Sequence, residues 1–348
     1  MKINRFVSAS VLLLSLIISG CGNSKTVSTN ADKKDNDKLT VYTTIYPLED
    51  FTKKIGGEFV DVKSIYPPNV DAHSYDPSTK DMVNLANSDL FIYTGVGIEG
   101  FAEKAAEALR KEDVQILKAG EGLELIDSSD EHQHDGDNGH SDSEHHEDEH
   151  GHAEEHQAEN SESSEHHEDE HHHGDVDPHV WLDPILAIDL ANNIKNSLSE
   201  LMPEHKAEFE TNFNQLKDEL EKLDQEFKTT IESSKTKYLL VAHAAYGYWE
   251  KRYGIEEIAI AGLSPTQDPT QKQLQAIIQE STEHNIHYVI FEQNVSSKVA
   301  KTIQQELGAR SLTLHNLESI TKENMKQNDD YFSIMRKNLK TLKTALNE

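Results

Sequence analysis

The chain has 348 residues, and 63 Asp and Glu against 33 Lys and Arg give a formal net charge of −30 at pH 7. Such an acidic surface repels phosphate backbones, so composition argues against nucleic-acid binding and is compatible with cations. Cys21 is the only cysteine, which excludes an intrachain disulfide framework and a cysteine-based zinc finger. The length suggests two domains.

The chain begins with a segment typical of an export signal. A positively charged start precedes an apolar run from Phe6 to Ser19, which has the length of a signal-peptide core and is short for a membrane span. The run ends in Ile18-Ser-Gly-Cys21, which looks like a bacterial lipobox. We predict a signal peptide over residues 1–20, lipid attachment at Cys21 and a flexible tether over residues 21–38. The alternative is an ordinary signal peptide with an incidental cysteine.

Strand-like and helix-like segments alternate after the tether. Strands are predicted at residues 39–46, 60–66, 90–94 and 114–117, and helices at 47–55, 79–86, 101–110 and 184–201. This alternation is typical of an α/β domain with a parallel sheet. We therefore expect an N-terminal α/β lobe over residues 39–202.

One glycine motif in this lobe matches the dinucleotide-binding pattern G-x-G-x-x-G. It runs from Gly95 to Gly100 and lies between a predicted strand and a predicted helix. The strand is the third of its lobe rather than the first, Glu99 would repel a pyrophosphate, and an exported protein meets little NAD. We interpret the glycines as a tight turn.

A low-complexity segment over residues 127–175 interrupts the lobe. It holds 19 acidic residues, 13 of the 20 histidines and no Lys or Arg, so the rest of the chain carries only −11 of the −30. Without apolar periodicity it is predicted to be a disordered insert. Neutral imidazoles bind zinc, copper or nickel, so we expect loose, multi-site metal capture. The alternative is a solvated acidic linker.

A long helix is predicted after the first lobe. From residue 204 to about 232, one apolar stripe recurs at spacings of three and four residues: Phe209, Phe213, Leu216, Leu220, Leu223 and Phe227. Strands at residues 238–242, 257–261, 288–291 and 312–314 then alternate with helices at 271–284 and 297–307. We expect a linking helix over residues 203–233 and a C-terminal α/β lobe over residues 234–348.

Three histidines outside the insert stand in ordered contexts. His73 follows a strand, His179 begins where the insert ends, and His243 lies at the carboxyl end of a strand, where ligands of open α/β sheets collect. Their separations of 106 and 64 residues form no local metal motif, so the residues alone leave their role open. The other four resemble surface or strand-edge residues: His205, His284, His287 and His315. A serine hydrolase has no support, because the chain lacks a G-x-S-x-G elbow.

At these residues the chain resembles the zinc-specific solute-binding lipoproteins of bacterial ABC importers, the ZnuA/AdcA type. The resemblance runs from about residue 39 to the C-terminus, and the His-rich insert is a further family trait. It depends on six motifs: Thr44-Ile-Tyr-Pro-Leu48, Asp71-Ala-His-Ser-Tyr-Asp-Pro-Ser-Thr79, Gly95-Val-Gly-Ile-Glu99, Asp177-Pro-His-Val-Trp-Leu182, Ala242-His-Ala-Ala-Tyr-Gly-Tyr248 and Gly262-Leu-Ser-Pro265.

The resemblance implies two α/β lobes joined by a long rigid helix, with a metal ion bound in the cleft between them. It implies that His73, His179 and His243 are ligands, where manganese receptors carry a carboxylate in place of the third. Glu318 falls at the position of the fourth, acidic ligand. Glu292 is the rival, although its family position suggests a structural hydrogen-bonding role, and water is a further alternative.

These features predict a lipid-anchored, monomeric receptor on the outer face of the bacterial cell membrane that captures Zn²⁺ and delivers it to an ABC permease. It is not expected to be an enzyme. The alternatives are a manganese or iron receptor of the same fold, and an extracellular zinc hydrolase, for which no H-E-x-x-H element is present. A surface adhesin role stays open.

Overall fold

The structure, a computed structural model, describes residues 38–127, 176–293 and 297–348. The predictions for the signal peptide, for Cys21, for nearly all of the tether and for the insert after Asp127 lie outside these residues. Within the described part of the chain, none of the helices combines the length and the apolar character needed to cross a bilayer.

Two parallel four-stranded sheets with the same strand order organise the described residues. The first sheet has the order β2-β1-β3-β4 and the second has β6-β5-β7-β8. The strands are β1 (Leu39–Thr43), β2 (Val60–Ser64), β3 (Leu90–Tyr93), β4 (Gln115–Lys118), β5 (Tyr238–His243), β6 (Glu256–Ala261), β7 (Tyr288–Glu292) and β8 (Arg310–Leu314). All paired strands are parallel. The predicted α/β class with two lobes is confirmed.

Helices connect and flank these strands. They are α1 (Tyr46–Gly56), α2 (Thr79–Ala86), α3 (Ala102–Leu109), α4 (Pro184–Leu201), α5 (Lys206–Glu232), α6 (Gly247–Tyr253), α7 (Gln271–Glu283), α8 (Lys298–Leu307), α9 (Lys322–Gln327) and α10 (Tyr331–Ala345). Local sequence sets where several of them begin. Ser78 and Asp81 form a capping box at α2, and the Asp183 side chain caps α4 just before Pro184.

The long helix α5 contacts both lobes. All six residues of its predicted apolar stripe are buried. The helix packs against α1 and α4 of the first lobe and against α6 and α10 of the second. With 27 residues it is about 40 Å long. A long helix joining two α/β lobes is therefore present as predicted, and a 3₁₀ turn over Pro203–His205 precedes it.

Three buried aromatic side chains form hydrogen bonds between loops of the two lobes. The Trp181 indole of the first lobe donates to the carbonyl of Asn316 in the second at 2.7 Å. In the other direction, the Trp249 indole donates to the carbonyl of Leu182, and the Tyr331 hydroxyl donates to that of Trp181, both at 2.7 Å. These bonds fix the loops of one lobe relative to those of the other.

Candidate metal centre

Four side chains from distant parts of the sequence converge in the cleft between the lobes. His73 lies in the loop between β2 and α2, and His179 precedes the turn that leads into α4. His243 is the last residue of β5, and Glu318 lies in the loop after β8. Each side chain offers one possible ligand atom, and these four atoms all lie within 4.8 Å of one another.

The imidazole rings of His73, His179 and His243 lie next to one another, and each has a nitrogen without a hydrogen-bond partner. Their ring centroids are 5.4–6.0 Å apart. Nε2 of His73, His179 and His243 is buried in each case, and none forms a hydrogen bond within the described residues. His73 Nε2 lies 3.5 Å from Glu318 Oε1, beyond good hydrogen-bonding distance. Buried polar atoms are normally paired, so three unpaired nitrogens close together form a group that could hold a cation.

An Asp-x-His sequence sets the backbone at both histidines of the first lobe. Oδ1 of Asp71 accepts the backbone N–H of His73 at 3.0 Å, and Oδ1 of Asp177 accepts that of His179 at 2.9 Å. An aspartate that accepts from the residue two positions on forms an Asx turn, which orders a loop locally. The same Asx turn therefore orders the loop at His73 and the loop at His179.

Asp177 also orients the His179 ring. Its Oδ1 lies 2.8 Å from Nδ1 of His179, and both side chains are fully buried. Because a carboxylate only accepts, Nδ1 carries the proton and Nε2 keeps its lone pair for a metal. Burial lowers the pKa of His179, and the nearby Asp177 carboxylate opposes this shift without reversing it. His179 is therefore a neutral imidazole at pH 7, and its Nε2 lone pair is available to a metal ion.

Glu292 supports His243 from the opposite edge of its ring. Glu292 is the last residue of β7, which pairs with β5, and its Oε1 contacts Nδ1 of His243. Burial lowers the pKa of His243, but the Glu292 carboxylate outweighs this effect and raises it overall. Glu292 does not belong to the group of four converging side chains. The geometry therefore favours Glu318 over Glu292 as the acidic ligand.

Glu318 is a buried carboxylate held by donors from both lobes. Its Oε2 accepts the backbone N–H of Ala72 at 3.0 Å, and its Oε1 accepts the amide of Asn316 at 2.9 Å. Burial alone would raise the pKa of Glu318, but His73 and the other imidazoles of the cluster lower it overall. Leu317, just before it, has a φ of 61°, a left-handed conformation rare for a branched side chain. The turn at Leu317 directs the ionised carboxylate into the cluster.

The glycine motif is a structural turn, in agreement with our interpretation. Glu99 is 5 % exposed. Its carboxylate accepts the Thr44 hydroxyl and the Thr94 backbone N–H, each at 2.7 Å. Gly95 has a φ of 73°, and a Cβ there would lie 2.9 Å from the Lys118 side chain. The motif therefore forms a tight turn after β3, and Glu99 within it bonds back to Thr94 at the end of that strand.

His315, which was predicted to lie at the surface or at a strand edge, is buried beside the edge strand β8. His315 is 3 % exposed and follows β8 directly. Its Nδ1 accepts the backbone N–H of Leu317 at 2.9 Å, and its Nε2 lies 3.2 Å from Oδ1 of Asn324. Burial lowers the pKa of His315 to about 4. His315 thus supports the Glu318 loop as a neutral imidazole. The remaining histidines outside the insert are partly or fully exposed: His205, His284 and His287.

Sequence reasoning identified the four converging side chains and missed part of what holds them. It assigned no role to Asp177, although the repeated Asp-x-His pattern is visible at both Asp71 and Asp177. Asn316 was also not singled out, and no sequence signal marks it. Its contacts depend on how three loops meet in space.

Two lobes with the same strand order, and between them a cluster of His and Glu side chains that could hold a metal ion, are typical of two-lobed, metal-binding solute receptors. The comparisons with known proteins agree. The chain matches, over residues 41–345, the family described as zinc-uptake complex component A, periplasmic, or ZnuA. This chain therefore belongs to the ZnuA family.

The chain is similar in sequence to named zinc-uptake proteins and similar in fold to a solved structure. It is 35% identical over 341 residues to the high-affinity zinc uptake system protein ZnuA of Bacillus subtilis, covering 98% of this chain and 96% of that protein. It is 30% identical over 336 residues to the zinc-binding lipoprotein AdcA of Streptococcus pneumoniae, covering 97% of this chain but only 60% of AdcA. The Zn(II)-bound ZnuA-like domain of that AdcA matches with a TM-score of 0.68 at 29% identity, covering 89% of this chain and 100% of that domain.

Proposed function

We propose that this protein captures Zn²⁺ outside the bacterial cell membrane and delivers it to an ABC permease. The observation that carries the proposal is the group of three unpaired Nε2 atoms and one ionised carboxylate, whose ligand atoms lie within 4.8 Å of one another. The ligands we propose are His73, His179, His243 and Glu318. The names of the B. subtilis and S. pneumoniae relatives support zinc as the cargo.

The donor set suits zinc better than manganese. Three imidazoles and one carboxylate match the tetrahedral nitrogen and oxygen coordination of zinc. Manganese favours oxygen-rich sites. His243 is the decisive residue, because the resemblance places a carboxylate at that position in manganese receptors. The alternative of a manganese or iron receptor therefore has less support.

We propose binding rather than catalysis at this site. Catalytic zinc keeps an open position for water or substrate, with three protein ligands. Here four protein side chains converge, and the three histidine nitrogens that face the centre are buried. Four protein donors would complete a tetrahedron, which suits capture and release of an ion.

The proposal includes how the cargo is held. Asp177 and Glu292 each lie against the Nδ1 edge of one histidine, so the Nε2 edge is presented to the ion. The raised pKa of His243 means that zinc displaces a proton there in weakly acidic solution. In the mature protein, which we propose to be a monomer, lipid on Cys21 would hold the receptor at the membrane beside its permease.

A metal-binding measurement tests the proposed function. The purified chain is expected to bind one zinc ion tightly, in competition with a chelator strong enough to leave weak sites empty. Excess Mn²⁺ is expected not to displace this zinc. A turnover assay against peptide and ester substrates, with and without chelator, separates a receptor from a hydrolase. Chelator-sensitive turnover would contradict the proposal. The adhesin role stays a hypothesis.

A further inference from the structure

The side-chain amide of Asn316 lies between two buried carboxylates of the site. Its Nδ2 donates to Oε2 of Glu292 and to Oε1 of Glu318, both at 2.9 Å. Asn316 is 2 % exposed, so water does not compete for these bonds. Because carboxylate oxygens accept and do not donate, the NH₂ end of the amide must face both of them.

Two further hydrogen bonds hold Asn316. Its side-chain Oδ1 accepts the backbone N–H of Glu318 at 3.3 Å, and its backbone carbonyl accepts the Trp181 indole N–H from the other lobe at 2.7 Å. The amide therefore has a single orientation, set by contacts that include the first lobe. Few conformations remain open to the two carboxylates it binds.

We propose that Asn316 is a positioning residue that sets two of the four zinc ligands at once; this inference rests on the proposed zinc-binding function. It positions Glu318 by a direct hydrogen bond. It positions His243 through Glu292, whose other oxygen contacts Nδ1 of that histidine. Asn316 also places two N–H donors between carboxylates that would otherwise repel each other. It contributes no ligand atom of its own.

Removal of the amide should weaken zinc binding without removing any ligand. Loss of a supporting hydrogen-bond partner typically lowers metal affinity by about 10–100-fold, and we expect that range for Asn316→Ala. Asn316→Asp should lower the affinity further, because a third carboxylate would face Glu292 and Glu318 where a donor stood. If Asn316→Ala does not fold, Asn316→Ser provides the same comparison with a small polar side chain.

Asn193 offers a control away from the site. It lies on α4, is partly buried, and its side-chain amide donates to the backbone carbonyls of Ala119 and Glu121 at 2.8 and 3.1 Å. These bonds involve none of the four converging side chains. Asn193→Ala should therefore lower the melting temperature of the metal-free chain and leave the zinc affinity within about twofold of the wild type, a smaller change than the loss of a ligand's supporting partner.

The experiment compares these variants in the purified full chain by three measurements. These are zinc affinity by chelator competition, the visible absorption of the first equivalent of Co²⁺, which reports coordination geometry, and the melting temperature without metal. The proposal predicts reduced affinity and an altered Co²⁺ spectrum for Asn316→Ala and neither change for Asn193→Ala. Unchanged affinity and spectrum in both variants would overturn it and leave Asn316 a structural residue. A wild-type chain without a tight zinc site would instead overturn the proposed function.

Discussion

Oδ1 of Asp177 lies 2.8 Å from Nδ1 of His179, and neither side chain is accessible to solvent. This contact decides which imidazole nitrogen faces the cleft. The same carboxylate oxygen also accepts the backbone N–H of His179, so the ring and the backbone are fixed by one atom. The backbone carbonyl of Asp177 in turn accepts the Tyr248 hydroxyl from the second lobe at 2.8 Å. Asp177 thus connects a contact between the lobes to His179, one of the four proposed ligands.

Asp177→Ala should lower zinc affinity by about 10–100-fold, because His179 loses the partner that fixes its tautomer and ring orientation. Chelator competition measures the change. Asp224→Ala is the control, since Asp224 is also buried and accepts the Tyr253 hydroxyl at 3.0 Å, away from the cluster. Equal affinities of the Asp177 and Asp224 variants would contradict a role for Asp177 at the metal site.

The metal-free protein should lose stability in acid partly because of His315. Its folded pKa of about 4 lies below the ordinary histidine pKa of 6.5. The unfolded chain therefore takes up a proton between pH 6.5 and 4 that the folded chain excludes. Stability falls as pH drops through this window, and His315 accounts for about 3 kcal/mol once pH is below both values.

His315→Gln isolates this contribution. The variant loses hydrogen bonds at every pH, so its free energy of unfolding should be lower than that of the wild type by a margin that shrinks as pH falls from 7 to 4. Urea unfolding of both metal-free chains at several pH values measures the margin. A margin independent of pH would show that His315 does not resist protonation.

Replacement of residues 128–175 by a two-residue Asn-Gly turn should leave the tight zinc site intact and remove several weak ones. The four proposed ligands lie outside the replaced segment, and Asp127 and Val176 form an antiparallel bridge. Their Cα atoms are about 5 Å apart, a separation that a two-residue hairpin turn spans. Calorimetry at two pH values checks this, and weak binding should disappear below about pH 6.5, where free histidine is protonated. Loss of the tightest site would show that the metal centre is in the insert and would contradict the proposed cleft site. No change in weak binding would make the insert a solvated linker.

Cys21→Ser should release the protein from the membrane or leave its signal peptide uncleaved. Serine lacks the sulfur that carries a thioether-linked lipid, and stable anchoring takes more than one acyl chain. Membrane fractionation combined with mass spectrometry of the N-terminus distinguishes the two outcomes. A cleaved Cys21→Ser protein that stays membrane-bound would contradict lipid anchoring at this residue.

The alternation of strands and helices predicted most of the fold, because binary patterns and capping residues are local signals. The stripe on α5 and the boundaries of α2 and α4 follow such signals. The prediction did not include α6, α9 or α10. Helix α10 presents buried side chains from Tyr331 to Leu342, and they pack on β8 and on α5, which lies far away in sequence.

The candidate site was also predicted only in part, because contacts between separate loops leave no local signal in the sequence. Residue type and local context made three histidines candidates, and the family resemblance assigned them as ligands and added Glu318. Nothing local indicated that Asn316 would meet Glu292, because their contact joins loops at the ends of two different strands. The burial of His315 was not predicted, because it depends on α10, which covers this residue through Asn338.

The most direct test of the account is the zinc affinity of His243→Ala beside that of His284→Ala. Both are measured by competition with a chelator that leaves the insert empty, and Mn²⁺ is offered as a competitor. His284, which is only partly buried and stacks on Tyr238, lies outside the cluster. The account predicts one tight zinc ion in the wild type and in His284→Ala, and no displacement by Mn²⁺. For His243→Ala it predicts a loss of affinity beyond the ~10–100-fold effect of a supporting residue. Unchanged zinc stoichiometry and affinity in His243→Ala would contradict it.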